Sequence, residues 1–80
     1  MPRPEAAAVC YGGHLDCGSG LLIAIKRAMS GIEVGQALEI LSLEPSVGHD
    51  LPAWCRLTSH ELLDVEQSGE QSSYIVRRGR

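Results

Sequence analysis

The sequence predicts an α+β two-layer sandwich, in which a four-stranded mixed sheet carries two helices on one face. Two observations lead to this prediction. Apolar segments with the length of strands alternate with two segments of helical periodicity, and two further strand-like segments follow, joined by a short glycine-containing turn. The predicted order is therefore β-α-β-α-β-β. We expect a single domain, because 80 residues suffice for one hydrophobic core.

The first half of the chain predicts a strand, a helix and a second strand. The short apolar segment 6–11 ends at a pair of glycines, as a strand does before a turn. Residues 19–29 place their apolar side chains on one helical stripe, and Gly31 follows as a stop signal. Residues 37–43 are almost continuously apolar, which favours a central position in the sheet.

The second half predicts a helix first. Asp50 is a favourable N-cap residue, and Pro52 is acceptable in the first turn that would follow it. Trp54 and Cys55 belong to the segment that supplies the inward apolar stripe, and the helix should end near His60. We therefore expect structural roles for Asp50, Pro52, Trp54 and Cys55.

A hairpin is predicted to complete the sheet. The segments 61–66 and 73–78 are rich in apolar side chains and flank a turn that contains glycine. Polar residues also fall within the predicted strands, among them Glu39, Asp64 and Ser73. We therefore expect the sheet face away from the helices to be partly exposed to water.

Composition limits the classes of function. The net charge of −3 argues against a general nucleic-acid-binding protein, and we interpret the terminal basic cluster at residues 77–80 as a solvated tail. No apolar run approaches the roughly 18 residues of a membrane span, and no apolar segment of a secretory signal follows the N-terminus. We expect a cytoplasmic monomer with a loose lead-in at residues 1–5 and one domain at residues 6–80.

The three cysteines are an odd number at irregular spacing, which predicts free thiols in a reducing compartment. Cys10 lies in the first predicted strand and Cys55 on the inward side of the second helix, so both favour core packing. Cys10 could alternatively serve as a resolving thiol for Cys17. The histidines match no zinc-binding spacing, and we expect neither a metal nor a cofactor.

Cys17 is the candidate catalytic residue because it directly precedes the first predicted helix. Unpaired amide groups of a first helical turn stabilise anions, so this position favours a thiolate or a persulfide. Gly18 and Gly20 leave space for a second thiol, and Ser19 lies between them. The charge of Asp16 opposes the thiolate slightly. Position alone is equally compatible with an ordinary buried cysteine at a strand–helix turn.

Two stretches of the sequence have the features of a known family. Residues 44–55 contain a Glu-Pro pair, then Asp-Leu-Pro and Trp-Cys, and His-Glu-Leu follows at residues 60–62. Residues 34–40 read Val-Gly-Gln-Ala-Leu-Glu-Ile before and into the second predicted strand. In this order and spacing, over about residues 15–78, the chain resembles the TusA/SirA/YedF family of small sulfur-relay proteins.

The resemblance implies a β-α-β-α-β-β sandwich and a persulfide carrier. The family's active cysteine opens the first helix in a Cys-Pro-x-Pro motif, and that position falls on Cys17. Such proteins take sulfane sulfur from a cysteine desulfurase or a rhodanese-like donor and pass it to an acceptor protein. Here the motif reads Cys17-Gly18-Ser19-Gly20. Glycine in place of both prolines should make the first turn more mobile, because proline pre-organises a helix start.

Three functions follow as hypotheses. In the first, Cys17 carries sulfane sulfur as a persulfide, which would make the protein a sulfurtransferase or sulfur-relay protein. In the second, the same scaffold is a non-catalytic interaction module, which the missing prolines favour. In the third, Cys10, Cys17 and a histidine form a thiol redox sensor or metal sensor.

Overall fold

Four strands and two helices follow one another in the predicted β-α-β-α-β-β order. The computed structural model of the chain describes residues 3–16, 18 and 20–80. Its elements are β1 (Ala8–Gly13), α1 (Leu21–Ser30), β2 (Ala37–Ser42), α2 (Val47–Thr58), β3 (Glu61–Ser68) and β4 (Gln71–Arg77). Together with the pairing described next, this order confirms the predicted fold class.

The strands form one mixed sheet in the order β1-β2-β4-β3. β1 pairs with β2 in parallel, whereas β4 is antiparallel to both β2 and β3. The central position of β2 confirms the prediction from its nearly continuous apolar character. Because β1, β2 and β3 run in the same direction, α1 and α2 are both crossover helices, and both begin at the same edge of the sheet.

A single hydrophobic core lies between the sheet and both helices, which places the helices on one face. Each helix contributes residues at helical spacing, and the strands contribute alternate residues. The buried apolar side chains of this core are Cys10, Leu21, Ile25, Met29, Ile32, Leu38, Ile40, Val47, Leu51, Cys55, Tyr74 and Val76. With no phenylalanine in the chain, aliphatic side chains fill most of this space.

The outer face of the sheet carries the polar side chains that the sequence places there, and Arg3 binds them. Its guanidinium donates to the Asp64 carboxylate at 2.6 Å and to the Ser73 hydroxyl at 2.9 Å. The Ser73 hydroxyl in turn donates to Glu39 at 2.6 Å. The contacts of Arg3 place the described part of the predicted lead-in on the sheet face opposite the helices. Residues 1–2 lie outside the described residues, and the looseness of the lead-in stays a prediction.

The start of α2 differs from the predicted one. Asp50 is not the N-cap: the helix begins at Val47, Ser46 is the N-cap residue, and Asp50 lies in the first turn. Val47 is fully buried, and this burial offsets the low helix propensity of Gly48. Gly48 also permits a close approach, since a Cβ atom there would lie 3.2 Å from the hydroxyl oxygen of Tyr74.

Pro52 consequently lies beyond the first turn of α2, inside the helix. It cannot donate the usual hydrogen bond to the carbonyl four residues earlier. The buried side chains of Leu51 and Cys55 nevertheless hold the helix against the core on both sides of the proline. Trp54 is half-buried and packs against the core beside them.

Two isoleucines of α1 provide a test of this packing. Ile25 is 0% exposed in the core, whereas Ile23 is 62% exposed on the same helix. We expect Ile25→Ala to lower the free energy of unfolding by about 2–5 kcal/mol through lost burial and the remaining cavity. Ile23→Ala should change it by less than about 0.5 kcal/mol. Urea denaturation followed by circular dichroism measures both, and equal losses would contradict the described orientation of α1.

Candidate functional site

The candidate site is the segment that joins β1 to α1. Cys17 and Ser19, two of its predicted residues, lie outside the described residues. The structure does place Asp16, Gly18 and Gly20: Gly18 is exposed, and the other two are half-buried. These three residues and the elements on either side define the surroundings of the site.

A close contact between β1 and α1 determines where this segment begins and ends. A Cβ atom at Gly12 would lie 2.7 Å from Leu21 Cδ1 and 3.0 Å from the carbonyl oxygen of Leu41. A side chain at position 12 would therefore crowd the fully buried Leu21 and the neighbouring strand, and glycine leaves this space free. The chain then turns, with the Leu15 amide donating to the Gly12 carbonyl at 3.0 Å. This contact moves the strand end to Gly13, two residues beyond the predicted end.

The beginning of α1 presents backbone amides without an acidic side chain to neutralise them. Gly20 is its N-cap residue and supplies no side-chain hydrogen bond, and the first turn, described in full, contains no acidic residue. The Leu21 amide donates to the Asp16 carbonyl at 3.2 Å, and the Ala24 amide donates to the Gly20 carbonyl at 3.1 Å. The partial positive charge of the helix terminus is thus located at the end of the candidate segment.

Gly20 also has an unusual backbone conformation. Its φ angle is +116°, in a range that residues with a side chain rarely adopt. The helix starts at Leu21, two residues later than the periodicity predicts, and Gly20 provides the change in chain direction just before it. This glycine is therefore required by the local geometry of the segment.

The carboxylate of Asp16 lies on the inner side of the segment. Its Oδ1 atom is buried and has no hydrogen-bond partner among the described residues. A Cβ atom at Gly18 would lie 3.6 Å from this oxygen, so the carboxylate is close to the backbone of Gly18, two residues later in the sequence. The opposing effect of its charge on a thiolate stays a prediction.

Exposed apolar side chains accompany the segment. Tyr11 at the end of β1 is 77% exposed, Leu15 is 41% exposed, and Ile23 in the first turn of α1 is 62% exposed. Leu15 and Ile23 thus leave apolar surface exposed in the segment and in the helix that follows it, whereas Tyr11 lies on the sheet face away from the helices, as Glu39 does.

The other two cysteines lie in the core. Cys10 is 7% exposed and Cys55 is 2% exposed. Burial raises the pKa of the Cys10 thiol, and it raises the pKa of Cys55 to about 11. Both therefore favour the protonated, poorly reactive form at neutral pH, and their predicted packing role stays a prediction. Across the described residues, which omit Cys17, no group of three or more metal-binding side chains is present.

A cleft between the helices was not predicted from the sequence. It has a volume of about 480 Å³. Its walls combine residues of both helices with residues near the chain end: Leu22, Ile23, Lys26, Met29, Ser30, Trp54, Thr58, His60, Arg78 and Arg80. The interpretation of residues 77–80 as a solvated tail is wrong for Arg78. That residue is half-buried and donates to the carbonyl oxygens of Met29 and Ile32 at the end of α1.

His60 is fixed at one end of this cleft. Its Nδ1 accepts a hydrogen bond from the Gly79 amide at 3.0 Å, so the neutral ring carries its proton on Nε2. The ring lies against Trp54, with centroids 5.4 Å apart. Burial lowers the pKa of His60, and the positive charges of Arg78 and Arg80 lower it further.

The accessible thiols can be counted by alkylation. We expect iodoacetamide at neutral pH to modify native protein once, at Cys17, because the other two thiols are buried and protonated. Denatured protein should be modified at all three cysteines. Mass spectrometry of intact and digested protein measures both states. Native Cys17→Ser should stay unmodified, and rapid native labelling of Cys10 or Cys55 would contradict the described core.

Stability should fall as the pH decreases through the range of His60. The unfolded chain takes up a proton on this imidazole near pH 6.5, whereas the folded chain does so only at lower pH. Acidification from about pH 7.5 to about pH 5.5 therefore favours the unfolded state. Urea denaturation across this range should show a smaller pH dependence for His60→Gln than for the wild type. An equal dependence in both proteins would contradict the described environment of His60.

Three known proteins are similar to this chain in sequence. Proteins named "Putative sulfur carrier protein" from Archaeoglobus fulgidus and "Putative sulfur carrier protein YrkI" from Bacillus subtilis are each 29% identical to this chain. The aligned segments cover 74% and 72% of this chain and 81% and 77% of those proteins. "Putative sulfur carrier protein YrkF" from Bacillus subtilis is 33% identical over 72% of this chain, which spans 31% of that longer protein.

Two further findings complete the comparison. In the part of the chain that the structure describes, neither helix has the length and apolar character that crossing a membrane requires. The family described as "Sulfurtransferase TusA" matches residues 20–78. This match begins after Cys17, so the correspondence of Cys17 with the family's cysteine stays a prediction. Because the match extends over most of the chain, the protein belongs to the TusA sulfurtransferase family.

Proposed function

We propose that the protein is a sulfur carrier that accepts sulfane sulfur as a persulfide on Cys17 and passes it to an acceptor protein. The observation that carries this proposal is the burial of the other two thiols. Cys10 and Cys55 are enclosed in the core and protonated at neutral pH. If this chain carries sulfur on a cysteine, as its family membership suggests, Cys17 is the residue left for that chemistry.

The transfer needs two exchange steps and no external oxidant. In the first step, the Cys17 thiolate attacks the terminal sulfur of a donor persulfide. A new sulfur–sulfur bond forms on Cys17, the donor's sulfur–sulfur bond breaks, and the donor cysteine leaves as a thiolate. In the second step, an acceptor thiolate attacks the terminal sulfur on Cys17, and the Cys17 thiolate is released. Both the thiolate and the persulfide are anions.

The start of α1 supports this chemistry through its charge. An uncapped helix start with no acidic residue in its first turn presents partial positive charge, and Cys17 is three residues before its N-cap Gly20 in the sequence. Partial positive charge at this end favours the anionic forms of a nearby sulfur. The exposed apolar side chains of Leu15 and Ile23 offer contact area to a donor or an acceptor protein.

Persulfide formation can be tested directly by mass spectrometry. The protein is incubated with a cysteine desulfurase and cysteine, and separately with a rhodanese and thiosulfate. We expect a mass increase of one sulfur atom on Cys17, which dithiothreitol removes. Cys17→Ser should acquire no sulfur, whereas the matched variant Cys55→Ala should acquire as much as the wild type. Failure of the folded wild type to take up sulfur from either system, or uptake by Cys17→Ser, would contradict the proposal.

A non-catalytic interaction module is the second candidate, and the conformation of Gly20 favours it. Proline is confined to φ near −65°, so it cannot occupy a position with φ of +116°. The second proline of the Cys-Pro-x-Pro motif is thus incompatible with the geometry of this helix start. In this alternative, alkylation of Cys17 leaves partner binding intact. The mass-spectrometric experiment separates the two candidates, because the module acquires no sulfur.

A further inference from the structure

The cleft between α1 and α2 has apolar walls along its length. Leu22, Ile23 and Met29 line it on the side of α1, and Trp54 lines it on the side of α2. From Leu22 to Ser30 the lining follows the helix for about 12 Å, because an α-helix rises 1.5 Å per residue. This elongated surface fits an extended or helical protein segment with apolar side chains better than it fits a compact small molecule.

The charged side chains that line the cleft are all cationic. Lys26, Arg78 and Arg80 line it, and the described residues contribute no acidic side chain to its walls. In the same described part of the chain, neither Lys26 nor Arg80 takes part in a salt bridge. This concentration of positive charge contrasts with the net charge of −3 of the whole chain. The cleft is therefore complementary in charge to an acidic ligand.

The polar groups of the cleft mainly offer hydrogen-bond donors. The hydroxyls of Ser30 and Thr58 are exceptions, because each already donates to a backbone carbonyl within its own helix at 2.7 Å and can only accept from a ligand. Lys26 and Arg80 can only donate, and neutral His60 has its proton on Nε2 because Nδ1 accepts from the Gly79 amide. A ligand rich in carboxylate oxygens would satisfy these donors.

We propose that the cleft between α1 and α2 binds an acidic segment of a partner protein, with apolar side chains between its carboxylates. The apolar residues occupy the wall formed by Leu22, Met29 and Trp54, and the carboxylates pair with Lys26 and Arg80. A nucleic acid is a poorer fit, because the two rings that line the cleft, those of Trp54 and His60, lie against each other, and aliphatic side chains form the rest of the apolar wall. The site uses residues other than Cys17, so it does not rest on sulfur transfer.

Binding can be measured with a synthetic probe and the single tryptophan of the chain. The probe is a fluorescein-labelled short peptide in which glutamates alternate with leucine and phenylalanine. We expect saturable binding in fluorescence anisotropy, and an unlabelled copy of the peptide should change the emission of Trp54, which lines the cleft. Added salt should weaken binding, because the contacts are between charges. Peptides with lysine for glutamate, or alanine for the apolar residues, should bind at least tenfold more weakly.

Matched charge reversals locate the binding site. The double variant Lys26→Glu/Arg80→Glu should weaken binding of the acidic peptide at least tenfold. The control Arg27→Glu/Arg56→Glu makes the same change in net charge at exposed positions outside the cleft, and it should retain the wild-type affinity. Circular dichroism confirms that both variants are folded. Equal weakening in the two variants, or no saturable binding by the wild type, would overturn the proposal.

Two further measurements separate this proposal from its alternatives. Cys17→Ser should bind the peptide as tightly as the wild type does. Peptide binding therefore does not depend on sulfur transfer, and a protein that fails to bind the peptide could still acquire sulfur on Cys17. A single-stranded RNA oligonucleotide serves as the competing polyanion. Tighter binding of this RNA than of the acidic peptide would overturn the proposal in favour of a nucleic-acid site.

Discussion

The contact between Leu21 and Gly12 determines the geometry on which the candidate site depends. Leu21 is the first residue of α1 and is fully buried, and its side chain occupies the space that a side chain at Gly12 would need. The helix must therefore start close to the end of β1. Gly20, the last residue of the intervening segment, adopts a backbone conformation suited to glycine. The packing of Leu21 and the backbone conformation of Gly20 thus both determine where α1 begins.

The two ends of α1 are stabilised in different ways. At its beginning, backbone carbonyls accept from the first amides, and no side chain or acidic residue caps the helix. At its end, the guanidinium of Arg78 donates to carbonyl oxygens of the last turn and of the residues that follow, where positive charge favours the helix dipole. The first end thus relies on backbone carbonyls alone, whereas the other end is bound by a side chain from the end of the chain.

Much of the fold could be predicted because its signals are local. The stripe of Leu21, Ile25 and Met29 has helical spacing within one segment, and the apolar run of β2 indicates a central strand without reference to distant residues. The start of α2 could not be predicted in this way. It depends on the burial of Val47 and on the position of Tyr74, which comes from the last strand. Tertiary packing overrides the capping preference of Asp50 there.

The candidate site was predictable only in part, because some of its features depend on residues that are distant in the sequence. The sequence indicates a cysteine before a helix and two cysteines in the core, since each of these depends on neighbours in the chain. The cleft brings Lys26 of α1 together with Arg80 at the end of the chain, and no local pattern connects residues so far apart. The available sequence signal for the cleft was Trp54 followed by His60, because two rings near the end of one helix can contact each other.

The ionic network of Arg3 has a consequence for how the protein meets other molecules. Arg3, Glu39 and Asp64 place charged groups across the face of the sheet opposite the helices, where a second sheet would otherwise be able to stack. Stacking there would strip water from these ions, and edge-to-edge pairing along β3 is discouraged by its acidic side chains. The charged part of this face therefore disfavours stacking of a second sheet, whereas the helical layer on the other side of the molecule carries the cleft between α1 and α2.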